Sequence, residues 1–246
     1  DETSSISMKY DEKFLYFLVW QEGFSNGAQT LYLPVDVTPK TGSTYCENYD
    51  LKFEDPADFL MIIDGRENSR VLVQRRYNVL RAMYFYETDG EDPYESVPDK
   101  DMPIFDTIRL ILQTATALEE DNPDATSETY ETGLLTYGNA NPSSPDFISL
   151  ADFCFAGDYV EIKIPWQLFN FCSPAERMVH DDYYEHYGVE PLEIDHISVG
   201  AGTEETAAVG DRIAMAHFPL TAWNRNVTYH ERLKESYYMV QEMWTQ

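Results

Sequence analysis

Phe155-Ala-Gly-Asp-Tyr-Val-Glu-Ile-Lys-Ile-Pro-Trp-Gln-Leu168 decides the fold. Gly157 supplies a turn, after which Val160, Ile162 and Ile164 alternate with Glu161 and Lys163. One face of that segment is apolar and the other solvated, the period of a half-buried strand. Pro165 has no N–H for a ladder and ends the strand. Trp166 and Leu168 then fall where a β-sandwich core needs plugs at its end.

The same reading extends along the chain. Residues 6 to 20 read as one strand with two apolar faces, Phe14, Tyr16 and Leu18 against Leu15, Phe17 and Val19, which suits a central position. Leu31–Val37 reads as a second strand, following a turn at residues 21–27 and preceding a loop at 38–44. Residues 57–63 and 69–74 read as a hairpin around Asp64-Gly-Arg-Glu-Asn-Ser69. Tyr86–Met102, acidic and proline-bearing, reads as a long surface loop. Thr107–Gln113 and Thr129–Tyr137 read as strands on either side of an acidic loop at 119–127, and residues 139–145 are turn-rich.

Three of these segments, in order, resemble family 9 carbohydrate-binding modules and the wider DOMON-like sandwiches. They are Tyr10-Asp-Glu-Lys-Phe-Leu-Tyr-Phe-Leu-Val19, Ala57-Asp-Phe-Leu-Met-Ile-Ile-Asp-Gly65 and the strand that ends Ile-Pro-Trp166. The resemblance frames most of residues 6 to 200 and implies a single mainly-β sandwich over residues 1–246. In those families a strand and a ligand loop usually precede the first motif. This chain opens on Asp1 with no initiator Met, so it reads as a fragment of a longer polypeptide whose signal or anchor lies outside it.

Two helices are expected. Ser173-Pro-Ala-Glu176 has the form of a capping box with proline at the first helical position, predicting a helix to about Tyr187 that stops at Gly188. Thr228-Tyr-His-Glu231 repeats the capping pattern. Tyr229, Leu233, Tyr237, Val240 and Trp244 then form an amphipathic stripe, predicting a docking helix over 228–246.

Composition narrows the partners. Asp and Glu total 44 against 17 Lys and Arg, a net charge of -27. Such a surface repels phosphate backbones and anionic lipid, so nucleic acid is not an expected partner. No apolar run approaches the ~20 residues of a membrane span, so no direct insertion of this fragment is expected. Cys46, Cys154 and Cys172 leave one thiol over and form no C-x-x-C, which excludes a disulfide scaffold; Cys154, between Phe153 and Phe155, reads as a small buried hydrophobe.

The candidate ligand surface is aromatic, because sugar C–H faces pack on flat rings while amides and carboxylates bond the hydroxyls. The chain has 18 Tyr and 4 Trp. The resemblance implies two tryptophans clamping a terminal sugar. Tyr49 or Phe53 occupies the first place here and Trp223 loosely matches the second, with Tyr183 and Tyr184 as further candidates. Asp64, Glu67 and Asn68 on the hairpin tip, joined by Asp36 across the sheet edge, form a candidate calcium site, since hard cations take oxygen clusters; Asp-Gly turn chemistry explains the same residues without a metal. In His180-Asp-Asp-Tyr-Tyr-Glu-His186, Asp182 and His186 are four apart and could share a transition metal, though a solvated acidic helix face accounts for the segment and the His-Glu-x-x-His pattern is absent.

No Gly-x-Ser-x-Gly or phosphate loop is present, and Gly200-Ala-Gly202 lacks a third glycine. The Asn226 sequon matters only in a chain secreted by a eukaryote. The reading is a non-catalytic carbohydrate-binding module of a bacterial cell-surface or membrane-linked protein, extracellular, with a neutral oligosaccharide and the remaining domains of its parent polypeptide as partners. Alternatives are a structural domain packing on that parent and, as the resemblance allows, a DOMON domain holding b-type haem through a Met and a His.

Overall fold

The computed structural model describes residues 4–89, 94–113, 128–208, 210–223 and 243. In chain order the strands are β1 (Ser4–Tyr10), β2 (Phe14–Gln21), β3 (Leu31–Asp36), β4 (Ser43–Cys46), β5 (Leu51–Ala57), β6 (Phe59–Ile63), β7 (Arg70–Gln74) and β8 (Phe105–Thr107). They continue as β9 (Arg109–Gln113), β10 (Glu128–Glu131), β11 (Phe153–Ala156), β12 (Tyr159–Pro165), β13 (Phe171–Ser173), β14 (Met178–His180) and β15 (Pro191–Glu193). The last are β16 (His196–Gly200), β17 (Gly202–Thr203), β18 (Arg212–Ile213) and β19 (Met215–Pro219). Helices α1 (Val79–Asp89), α2 (Tyr183–His186) and α3 (Glu204–Ala208) interrupt them.

The architecture is mainly β, with two large sheets facing each other across the core. One has the order β1-β2-β12-β11; the other runs β19-β16-β3-β6-β7-β8, with β17 also on β3. Leu15, Phe17 and Val19 of β2 and Val160, Ile162 and Ile164 of β12 enter one core with Leu33, Val35, Phe59, Met61, Val71 and Val199 of the other sheet. Trp166 is fully buried at its end, its indole N–H donating to the Asp11 carbonyl at 2.9 Å. The alternation in β12 and its proline stop are therefore as the sequence predicts.

A second core lies behind the larger sheet. Tyr32, Leu60, Ile62 and Leu72 turn away from the sandwich interior and pack on Leu51, Phe53, Phe105 and Ile213 beneath the small sheet β18-β5-β4. Burial on both faces explains why Phe-Leu-Met-Ile-Ile of β6 is an unbroken apolar run.

Several expectations are corrected. Residues 6–20 form not one strand but the β1–β2 hairpin, because the Asp11 carboxylate accepts from the Lys13 and Phe14 N–H groups and turns the chain. Of the six alternating residues, only Leu15, Phe17 and Val19 are buried; Tyr16 and Leu18 face out. The stretch from Tyr86 is not all loop, since α1 continues to Asp89, started by Asn78, whose side chain accepts from Arg81 N–H at 3.0 Å. β10 ends at Glu131, short of the strand expected to Tyr137.

The predicted helix from Pro174 to Tyr187 forms only in its last turn, α2, which ends at Tyr187 as expected. Pro174–Glu176 makes one tight turn, Arg177 takes a left-handed conformation (φ 60°), and the Ser173 hydroxyl bonds the Glu176 carboxylate instead of capping backbone. The chain then becomes strand β14, paired with β13 and β15, and inserts Val179 into the core. Burial of Val179 outweighs the local helix signal. The expected helix over 228–246 lies outside the described residues apart from Met243.

Candidate functional site

A cleft of about 410 Å³ opens where the second core meets the β6–β7 hairpin, lined by Thr30, Tyr32, Tyr49, Asp64, Asn68 and Arg70 among others. Its aromatic wall is Tyr49, carried on the turn between β4 and β5. That turn is anchored by Glu47 N–H to the Pro103 carbonyl at 2.8 Å and by the Asn48 side chain, which accepts from Phe105 N–H at 3.2 Å. Tyr49 is 38% exposed, and its ring centroid stands 5.5 Å from that of Tyr32.

The opposite wall is the hairpin. Ser69 Oγ accepts from Asp64 N–H and donates to the Gly65 carbonyl, both at 3.0 Å, while Gly65 takes φ 61°, a left-handed turn position suited to glycine. Antiparallel pairing of Leu31 with Ile63 brings Thr30 beside Asp64, 3.4 Å between their side-chain oxygens. Arg70 donates through Nε to the Asn68 carbonyl at 3.3 Å and reaches Glu131 at 3.4 Å. Glu204, first residue of α3, closes the rim.

Burial, with smaller contributions from Glu204 and Asp64, pushes the Tyr32 phenol up to about 12; burial also raises Tyr49. Both rings therefore present neutral hydroxyls at physiological pH. The cleft combines one accessible aromatic face with carboxylate, amide, hydroxyl and guanidinium groups on braced backbone.

Three sequence candidates, Tyr49, Asp64 and Asn68, thus meet. The others do not join them. Phe53 is fully buried in the second core and offers no face to a ligand. Trp223 packs on Tyr10 and Trp166, with centroids at 5.7 and 5.9 Å, so no Tyr49–Trp223 clamp forms. Glu67 is exposed at the hairpin tip. Asp36 ends β3 at the edge opposite Asp64; about six residues at ~3.3 Å each separate the two ends, too far for one ion. Asp36 instead faces Asp58 beside another cleft, of about 480 Å³, lined by Thr38, Arg177, Glu193, Asp195 and His196.

Tyr183 and Tyr184 lie in a separate group on α2, with Tyr94 stacked on Tyr183 at 6.2 Å and Tyr187 at 4.8 Å from Tyr94. Asp182 does not stand on a solvated face with His186. It is wholly buried, caps α2 through Tyr184 N–H at 3.1 Å, and is held by Arg76 at 2.7 Å. Asp181, Glu185 and His186 place one ligand atom each within 4.8 Å of one another. Lys40 already holds Asp181 at 2.5 Å, and Lys100 holds Glu185, so ammonium groups occupy the place a cation would take.

Thr30, Tyr32, Arg70 and Glu204 were not singled out from sequence. Pairing 31–36 with 59–63 would have found Thr30 and Tyr32; nothing local announces Glu204, brought in from the far end of the chain. Comparison with known proteins finds no match to a family model, a curated protein or a solved structure.

Proposed function

We propose that this chain is a non-catalytic carbohydrate-binding module that takes a neutral oligosaccharide in the Tyr49 cleft. The observation that carries the reading is the partly exposed Tyr49 ring sharing one cleft with Asp64, Asn68, Arg70 and Thr30. A sugar ring stacks its C–H face on the phenol while the polar groups exchange water for its hydroxyls, each at small net gain. Affinity is accordingly modest, about 10–100 µM, or roughly -5.5 to -7 kcal/mol. The resemblance noted in the sequence extends this proposal to an extracellular, cell-surface setting in a bacterial protein.

Calorimetric titration with a broad panel of neutral plant, host and bacterial oligosaccharides, at two salt concentrations, tests it. Saturable binding that changes little with salt supports it, since screening acts weakly on a neutral ligand. Silence across the panel removes it.

A second reading is an interaction domain that packs on its parent polypeptide. It is favoured by the β9–β10 ribbon, where Tyr130 pairs with Leu110 and both, with Leu112, are exposed on one face. Among the described residues no helix is long and apolar enough to cross a membrane.

A further inference from the structure

The outer face of the β1-β2-β12-β11 sheet carries a second concavity, of about 400 Å³, roofed on one side by residues 138–141 and Ala151. Strand register sets its floor. Lys9, Tyr16 and Lys163 lie side by side in one row; Ser7, Leu18 and Glu161 form the next. Adjacent strands are ~4.8 Å apart, so the two lysine stems start about 10 Å apart with Tyr16 between them, within the span their long side chains can close over one anionic group.

Three further observations define what would fit. First, the Tyr16 ring is fixed, its hydroxyl donating to Asp11 Oδ2 at 2.8 Å, and Leu18 beside it is 42% exposed, so the floor is apolar and accessible. Second, in a chain of net charge -27 neither lysine forms a salt bridge among the described residues. Lys163 instead rests its ammonium 5.0 Å over the Phe14 ring. Third, the wall is braced: Gly138 N–H bonds the Phe153 carbonyl at 2.9 Å, Ile148 N–H the Asn139 carbonyl at 2.8 Å, and Thr136 N–H the Asp152 carboxylate at 2.9 Å. The Glu161 carboxylate repels an anion from the second row, which orients a ligand with its charge toward the lysines and its body over Leu18.

We propose that this cleft binds a small organic anion with an apolar body, of the alkyl or aryl carboxylate class. Its size and its mostly apolar lining with a few convergent polar groups are those of small-molecule sites. The ammoniums of Lys9 and Lys163 supply the attraction, offset in part by Glu161 and by Asp152, whose carboxylate acts on Lys163 from the wall. Carboxylates elsewhere on the surface are screened beyond ~10 Å at ordinary salt. The site is independent of the Tyr49 cleft and stands or falls without it.

The test uses anilinonaphthalene sulfonate, an aryl anion, as a fluorescent probe on the full chain, with octanoate and octanol as competitors. The expected result is saturable probe fluorescence that octanoate displaces and octanol displaces far less. Lys9→Gln with Lys163→Gln should weaken probe binding at least about fivefold, two charge-assisted contacts being lost, while Lys9→Arg with Lys163→Arg should retain it. Leu18→Asp should weaken the probe as well. All these positions face out of the core, and circular dichroism confirms folding of each variant. Absence of saturable binding, equal affinity in the Gln pair, equal displacement by octanol, or loss of the signal on substituting Leu110 and Leu112 of the β9–β10 ribbon would each overturn the proposal.

Discussion

Asp36 and Asp58 stand close enough that the charge on Asp58 helps hold a proton on Asp36. Asp58 is wholly buried and accepts from Val37 N–H and Thr38 N–H at 2.9 Å each and from the Thr41 hydroxyl at 2.7 Å. With three donors already aimed at it, Asp58 is the better anion, and Asp36 is the partner that keeps a proton. Burial, then the charges of Asp58 and Asp55, push Asp36 up to about 8, eased slightly by His196. Burial raises Asp58 to about 7 against the lowering effect of its hydrogen bonds.

The sign of the pH dependence follows. A carboxyl raised in the folded state binds protons there that the unfolded chain has released, so folding is favoured at low pH and that contribution is lost as pH rises through the folded values. Stability from this pair should fall between about pH 5 and 9. Asp36→Asn removes one titrating group and should flatten that fall in denaturant midpoints measured across the range. A wild-type midpoint that climbs from pH 6 to 9 would contradict the proton held on Asp36.

The Arg76–Asp182 pair ties the end of β7 to α2. Arg76 donates through Nε and Nη2 to Asp182, and through Nη1 to the Pro98 carbonyl at 2.7 Å, with both side chains nearly sealed from solvent. Removing one partner strands a buried charge. Asp182→Ala should cost about 3–5 kcal/mol by chemical denaturation, and Arg76→Lys should not rescue the loss of the planar fork. A cost under about 1 kcal/mol would show that the pair is solvated.

The sandwich was legible because β12 and β6–β7 state their burial in their own residues. Val160, Ile162 and Ile164 alternate, and the Asp64–Ser69 turn separates two apolar runs. What failed did so where distant contacts override local signals. Ser173-Pro-Ala-Glu176 specifies a helix start in isolation, yet Val179 gains more from the core as strand. Phe53 alternates with Lys52 and Glu54 as any half-exposed strand would, and only the second core behind β6 shows that it is sealed. The Tyr49 cleft was half legible: its hairpin wall is local, while Glu204 arrives from about 140 residues downstream of that hairpin.

Tyr187 occupies the left-handed position that ends α2, with φ 53°, and is 76% exposed. For a side chain this large that conformation costs about 1–2 kcal/mol, which glycine avoids. Comparing Tyr187→Gly with Tyr187→Ala cancels the loss of the ring against Tyr94. The glycine variant should be the more stable by about 1 kcal/mol in thermal or denaturant melts. Equal stability would mean that the turn relaxes when the ring is removed.

Trp166 meets Phe171 at 4.7 Å, Tyr10 at 5.5 Å and Trp223 at 5.9 Å between ring centroids. Trp166→Ala should therefore cost about 3–5 kcal/mol, the range for truncating a buried aromatic, and would also leave the Asp11 carbonyl without its indole donor. Trp166→Phe keeps part of the volume and should cost less. Parent-like melting of the alanine variant would show that the sandwich closes without this plug.

Tyr49 and Phe53 stand four residues apart on opposite sides of one question, since one has an accessible face in the cleft and the other has none. Tyr49→Ala removes a partly exposed ring and a contact with Tyr32, so its effect on stability should stay near 1 kcal/mol. Its effect on oligosaccharide binding should be at least tenfold, about 1.4 kcal/mol, because the stacking face is gone. Phe53→Ala should do the reverse. It empties part of the second core at a cost of about 3–5 kcal/mol, yet at temperatures where the variant remains folded it should bind sugar with near-parental affinity. Running both variants through the same titration and the same melt separates recognition from support. If Tyr49→Ala binds as the parent does while Phe53→Ala loses the sugar when fully folded, the ligand sits elsewhere and reaches its site through the second core.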